Sequence, residues 1–173
     1  MIKKMLMNSK NLPRTMREID KFAEKKINKS AFDWLNAGAE YGRTMKINED
    51  AFNDVEIIPN FFNDTSNLDT STTFFDHKLS MPVIISPMGH QTQFHKGGEA
   101  ECAEGIKSEN ILICMSTQGR MSLSQIKKKH PNGKFIWDFF PFGPRKWIKE
   151  QILDAKKAGA IGCTLTVDGP IRS

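Results

Sequence analysis

Cysteine is scarce in this sequence, and the three present, Cys102, Cys114 and Cys163, are odd in number, far apart and free of any CxxC spacing. Neither a disulfide framework nor a zinc site is indicated, no metal ligand set is expected, and a reducing cytoplasm fits best. Long apolar runs are also missing. The longest, such as Met81 to Ile85, are of strand length, whereas a helix needs ~20 apolar residues to span a bilayer. No integral membrane segment is expected. The N-terminus, MIKKMLMNSKNLPRTMR, is basic, but Lys and Asn interrupt its apolar part and no small-residue cleavage site follows. A secretory signal is therefore not expected.

What is present is an ordinary soluble composition, 39% hydrophobic and 26% charged over 173 residues, within the size range of one compact domain. The net charge of +5 is unevenly placed: residues 1–29 hold nine Lys and Arg against three Asp and Glu, and the rest is close to neutral. Phe22 is the only aromatic in that basic leader. The leader therefore reads as a solvated helix face, and no nucleic-acid partner is expected.

Along residues 1–54, apolar Met16, Ile19, Phe22 and Ala23 recur at helical spacing from Thr15 to about Ile27. Ser30 to Ala37 reads as a second helix with Ser30 as N-cap and Gly38 as its stop, and a third lies near Ile47 to Asn53. Residues 55–80 read as flanking strands or a hairpin: Val55 to Phe62 looks extended, and Thr73 to Leu79 follows the polar run NDTSNLDTST. From residue 81 the rhythm changes. The runs Val83–Ser86, Ile111–Ser116, Phe135–Phe140 and Cys163–Val167 are β-rich and alternate with helical stretches near Gly97–Glu109, Leu123–Lys129 and Pro144–Ala158. Ser122 with Gln125 makes a capping box, Pro144 suits a first helical turn, and Gly159 stands where a helix ends. Parallel strands joined by helices imply an α/β sheet covered on both faces. A doubly wound sheet and a (β/α)8 barrel share this period, so periodicity leaves both open. No GxGxxG follows the first strand of the repeat, so no nicotinamide Rossmann site is expected.

Both architectures place ligands at the carboxyl ends of the strands, and all four ends here are polar. They are Ser86-Pro87-Met88-Gly89-His90, Ser116-Thr117-Gln118, Asp138-Phe139-Phe140 and Thr166-Val167-Asp168-Gly169-Pro170. Pro87 without an N–H and Gly89 without a side chain make either a tight turn or a turn open to a flat ligand. Ser116 and Thr166 suit a neighbouring carbonyl as well as a ligand. Asp168 is the more telling residue, because a carboxylate ending a buried strand is paired or functional. His90 and His95 lack metal-pair spacing, and His95 reads as fixing the start of the following helix. The run Lys127-Lys128-Lys129-His130 reads as the cationic end of a helix.

The stretches DWLNAGAE (33–40), LSMPVIISPMG (79–89), HKGGEAECAEG (95–105), ICMST (113–117) and AGAIGCTLTVDGP (158–170) resemble the FMN-dependent α-hydroxy-acid oxidase/dehydrogenase family in both order and spacing. The resemblance implies the N-terminal half of a (β/α)8 TIM barrel with a helical N-terminal extension, and FMN as cofactor. It implies that Pro87, Met88 and Gly89 lie along the flavin, and that Ser116 and Thr166 bond its polar edge. Asp138 falls where the family commonly has a flavin-contacting Gln. Trp34 and Phe140 stand where typical members place substrate-contacting tyrosines; Phe140 has no hydroxyl and Trp34 offers only an indole N–H. Asp168 matches the aspartate that supports the catalytic histidine, and none of His77, His90, His95 or His130 matches that histidine. The ending GPIRS reads as a stop in mid-loop. The expectation is a single incomplete domain over 1–173, whose parent oxidises a small L-2-hydroxy acid and forms a homo-oligomer.

Overall fold

A computed structural model of the chain describes residues 13–168. The leader's first residues and the GPIRS ending lie outside them. The chain divides into two compact units, Met1–Phe62 and Asn63–Ser173.

The first unit is helical. Helix α1, Met16–Glu24, starts at Thr15, whose hydroxyl accepts the Glu18 amide hydrogen at 3.2 Å. Helix α2, Lys29–Leu35, is capped two residues earlier than the sequence suggests. Its cap is Asn28, whose Oδ1 accepts from both the amide (2.9 Å) and the hydroxyl (2.7 Å) of Ser30. An Asn side chain satisfies the first free amides at least as well as Ser, so the earlier residue takes the cap. It stops at Asn36, before Gly38 is reached. Helix α3, Arg43–Asp50, runs on into a 3-10 turn at Ala51–Asp54.

The expected strand at Val55–Phe62 is absent, because that segment finds no ladder partner and stays irregular. Strands β1, Thr72–Phe74, and β2, His77–Leu79, instead pair with each other as an antiparallel hairpin. The turn between them puts Phe75 and Asp76 in the left-handed region, φ 46° and 60°. A two-residue hairpin with both residues at positive φ has the twist that strands require.

The rest of the second unit is the βαβαβαβ run. Its strands are β3 (Ile84–Ile85), β4 (Leu112–Ser116), β5 (Lys134–Phe139) and β6 (Gly162–Leu165). They form one parallel sheet in strict sequence order. The connecting helices are α4 (Gly98–Gly105), α5 (Leu123–Lys129) and α6 (Arg145–Lys157). Punctuation at the helix ends follows the residues: the Ser122–Gln125 capping box is fully formed, and Gly159 ends α6 at φ 80°. Lys127 reaches past the end of α5 to the carbonyls of Pro131 (3.2 Å) and Gly133 (2.8 Å). His95 Nδ1 accepts the Gly97 amide at 3.1 Å, just before α4.

The two faces of the sheet carry separate apolar layers. One face packs Ile113, Met115, Phe135 and Trp137 against Ala103, Leu123, Ile126 and Ala155 of the helices. The opposite face gathers Leu112, Cys114 and Ile136 with Leu79 of the hairpin and Ile161. Leu112, Ile113, Met115 and Ile126 lose all solvent contact, each worth roughly 1.5–3 kcal/mol. β4 and β5 are buried almost throughout, whereas β3 and β6 are edge strands with Ile84, Cys163, Thr164 and Leu165 exposed.

Candidate functional site

Side chains alternate faces along a strand, so Ser116, two residues beyond Cys114, lies on the same face as Cys114, as does Asp138, two beyond Ile136. The register pairs Ser116 with Asp138 and Asp138 with Thr164. The face lined below by Leu112, Cys114 and Ile136 therefore turns polar at its carboxyl end, in one row across three neighbouring strands.

Within that row Asp138 is 4% exposed and Ser116 3%. Thr164 donates its hydroxyl to Asp138 Oδ1 at 2.9 Å, and Thr166 donates to the same carboxylate at 3.1 Å (Oδ1) and 3.2 Å (Oδ2). Among the described residues no ion pair forms to Asp138. Its charge is felt by Cys114, whose thiol is pushed up first by burial and then by the Asp138 carboxylate. Ser116 Oγ accepts the Gln118 amide at 3.2 Å, which leaves the hydroxyl hydrogen available to a further acceptor.

Pro87, Met88 and Gly89 follow β3 and overlie the start of the next loop. The His90 amide donates to the Gln118 carbonyl at 3.2 Å, with His90 itself at φ 55°, and Gln91 Nε2 donates to the Met88 carbonyl at 3.2 Å. A Cβ on Gly89 would stand 2.8 Å from Gln118 Cβ. Glycine is what allows the two loops to lie this close, and Pro87 and Met88 stay exposed on the outer side.

The remaining candidates are less gathered. Phe140, just past β5, is half-buried and stacks on Phe142 with ring centres 5.5 Å apart. Asp168 is exposed in a bend beyond β6. The premise that it ends a buried strand does not hold in this chain, since β6 is an edge with its outer side uncovered. Trp34 belongs to the first unit, on α2, and is exposed.

Two residues of this region escaped the sequence reading. Thr164 shares Asp138 with Thr166, and the signal was the Thr-x-Thr spacing at the end of β6, which puts both hydroxyls on one face. Glu99, at the start of α4, is 1% exposed with neither carboxylate oxygen hydrogen-bonded. A Cβ on Gly119 would stand 2.6 Å from its Oε1. No local pattern marks a buried glutamate, because its burial depends on a loop twenty residues away.

A sequence model described as FMN-dependent dehydrogenase matches residues 23–173. Curated relatives include an L-lactate oxidase of Lacticaseibacillus rhamnosus, 30% identical over 86% of this chain and 40% of that protein. Glycolate oxidase 1 of Zea mays is 28% identical over 88% of this chain and 41% of that protein. The chain thus spans about two-fifths of the length of the curated relatives it matches. Among solved structures, a soluble mutant of the membrane-associated (S)-mandelate dehydrogenase of Pseudomonas putida superposes with a TM-score of 0.84 at 24% identity, over 91% of this chain and 44% of that one. A mandelate oxidase superposes at 0.85 and 21% identity, over 92% of this chain and 47% of that one. These likenesses give the sheet its place: β3 to β6 form half of a (β/α)8 barrel, and the polar row lies on its inner side at the carboxyl end.

Proposed function

The chain belongs to the FMN-dependent dehydrogenase family, and we propose that the protein of which it forms the N-terminal half oxidises an L-2-hydroxy acid to the 2-oxo acid. The observation that carries this reading is the row Ser116–Asp138–Thr164 at the carboxyl ends of adjacent parallel strands, with Ser116 and Asp138 buried. Those are the ends at which barrel enzymes build their sites.

The residues present fit FMN. A glycine without room for a Cβ keeps the β3 loop flat against its neighbour, and the row offers a hydroxyl donor beside a carboxylate acceptor, as a flat polar ring requires. Pro87, Met88, Gly89, Ser116, Asp138 and Thr166 are the residues of this half that would hold it. When bound, FMN supplies acceptance of the two electrons removed from the substrate.

The chain's own residues bind, orient and shield. Phe140, stacked on Phe142, presents an apolar wall where a hydroxyl would otherwise meet the substrate, and this favours an acid with an apolar side chain over glycolate. Asp168 holds a carboxylate beyond β6, where it favours the protonated form of a basic side chain supplied by the rest of the protein. The three thiols are free, which fits a cytoplasmic setting.

The test is anaerobic bleaching of FMN in the whole protein by lactate, glycolate or mandelate. Bleaching is expected with at least one acid, and Asp168→Ala should slow it at least about a hundredfold, the usual scale for a general-base contribution. Bound flavin that no hydroxy acid reduces would instead favour a second reading, a non-catalytic FMN-binding paralogue. The absence of the hydroxyl at Phe140 is the observation behind that alternative.

A further inference from the structure

We propose that Asp138 sets an acceptor-only carboxylate against the N–H of the flavin's imide edge, and that it makes the bound flavin harder to reduce than a neutral amide would. This rests on the FMN reading above. The argument begins from hydrogen-bond inventory. A carboxylate offers about four lone-pair sites and no hydrogen. Thr164 and Thr166 fill part of this capacity, mostly on Oδ1, and Oδ2 receives only the 3.2 Å contact from Thr166. Oδ2 thus keeps acceptor capacity in a layer where Asp138 is 4% exposed and water has almost no access.

Each hydroxyl has one hydrogen. That of Thr166 is directed to Asp138, so Thr166 steadies the carboxylate and has no hydrogen left to donate to a flavin oxygen. Ser116 is in the opposite state, because its oxygen already accepts the Gln118 amide and its hydrogen remains to be donated. A free donor on β4 and a free acceptor on β5, on strands ~4.8 Å apart, match an edge that carries a carbonyl beside an N–H. The imide of a flavin is such an edge.

The electrostatic consequence follows from burial. Asp138 has no ion-pair partner among the described residues, and its charge already reaches the thiol of Cys114. Reduction adds electron density to the ring, and a fixed negative charge at the ring's edge in a dry layer opposes it.

The experiment uses the whole protein loaded with FMN, equilibrated with a reference dye to give the two-electron midpoint potential. Asp138→Asn keeps the shape and removes the charge. It should raise the potential so that the reduced-to-oxidised ratio at fixed solution potential grows about tenfold, or about 30 mV. A variant that binds FMN at an unchanged or lower potential overturns the inference. Should the variant fail to fold, the unmodified protein decides the matter. It should bind N3-methyl-FMN at least about tenfold more weakly than FMN, because the methyl group removes the hydrogen that Asp138 accepts. Equal affinity for the two flavins overturns the inference while leaving the FMN reading intact. A protein that binds neither flavin overturns the FMN reading and the inference with it.

Discussion

At the residue scale the site depends on groups too small or too charged to be exchanged. Gly89 is the clearest case. A methyl at that position meets Gln118 Cβ at 2.8 Å, inside any real carbon contact, and Gln118 is held by its carbonyl's bond from His90. Gly89→Ala should therefore lower stability by about 1–3 kcal/mol, the usual range for overpacking, as read by urea unfolding. An unchanged midpoint would mean that the two loops separate freely. Individual residues were only partly legible in the sequence. The polar ends of the strands named Ser116, Asp138 and Thr166 correctly as neighbours in one layer, because strand period and register follow from alternation. Their mutual bonding was not legible: whether Thr166 faces a ligand or Asp138 depends on side-chain rotamers that no pattern encodes. The exposure of Asp168 was not legible either, since β6 is an edge strand among the described residues and Asp168 lies in a bend beyond it.

At the element scale the repeat is written locally, and local reading served it well. Helix α5 has the boundaries its capping box dictates, and Gly159 ends α6 one residue beyond its cap at Ala158. The box has a measurable share in stability: Ser122→Ala should cost about 1 kcal/mol, seen as a lower unfolding midpoint. Retention of full stability would mean that packing of Leu123 and Ile126 fixes the helix without its cap. The errors fell where two residues compete for one role or where a partner is needed. Asn28 displaced Ser30 as cap because both can accept, and the one further upstream starts the helix two residues sooner. Val55–Phe62 has the composition of a strand but no second strand to receive its amides, and composition cannot supply one. The hairpin β1–β2, by contrast, carries its own partner within eight residues: Thr73–Leu79, expected as a single strand beside Val55–Phe62, folds back on itself instead.

At the scale of the whole molecule, the sheet order β3-β4-β5-β6 leaves two open edges. The chain expressed alone should therefore self-associate at micromolar concentration, with unpaired amides and exposed Ile84 and Leu165 at those edges. Light scattering would show this, and a monodisperse 19.6 kDa monomer would count against it. The strict order of strands also bears on how the protein is made. From β4 on, every strand lies beside the one synthesised just before it, so on the ribosome each can dock as it emerges, without waiting for a distant segment.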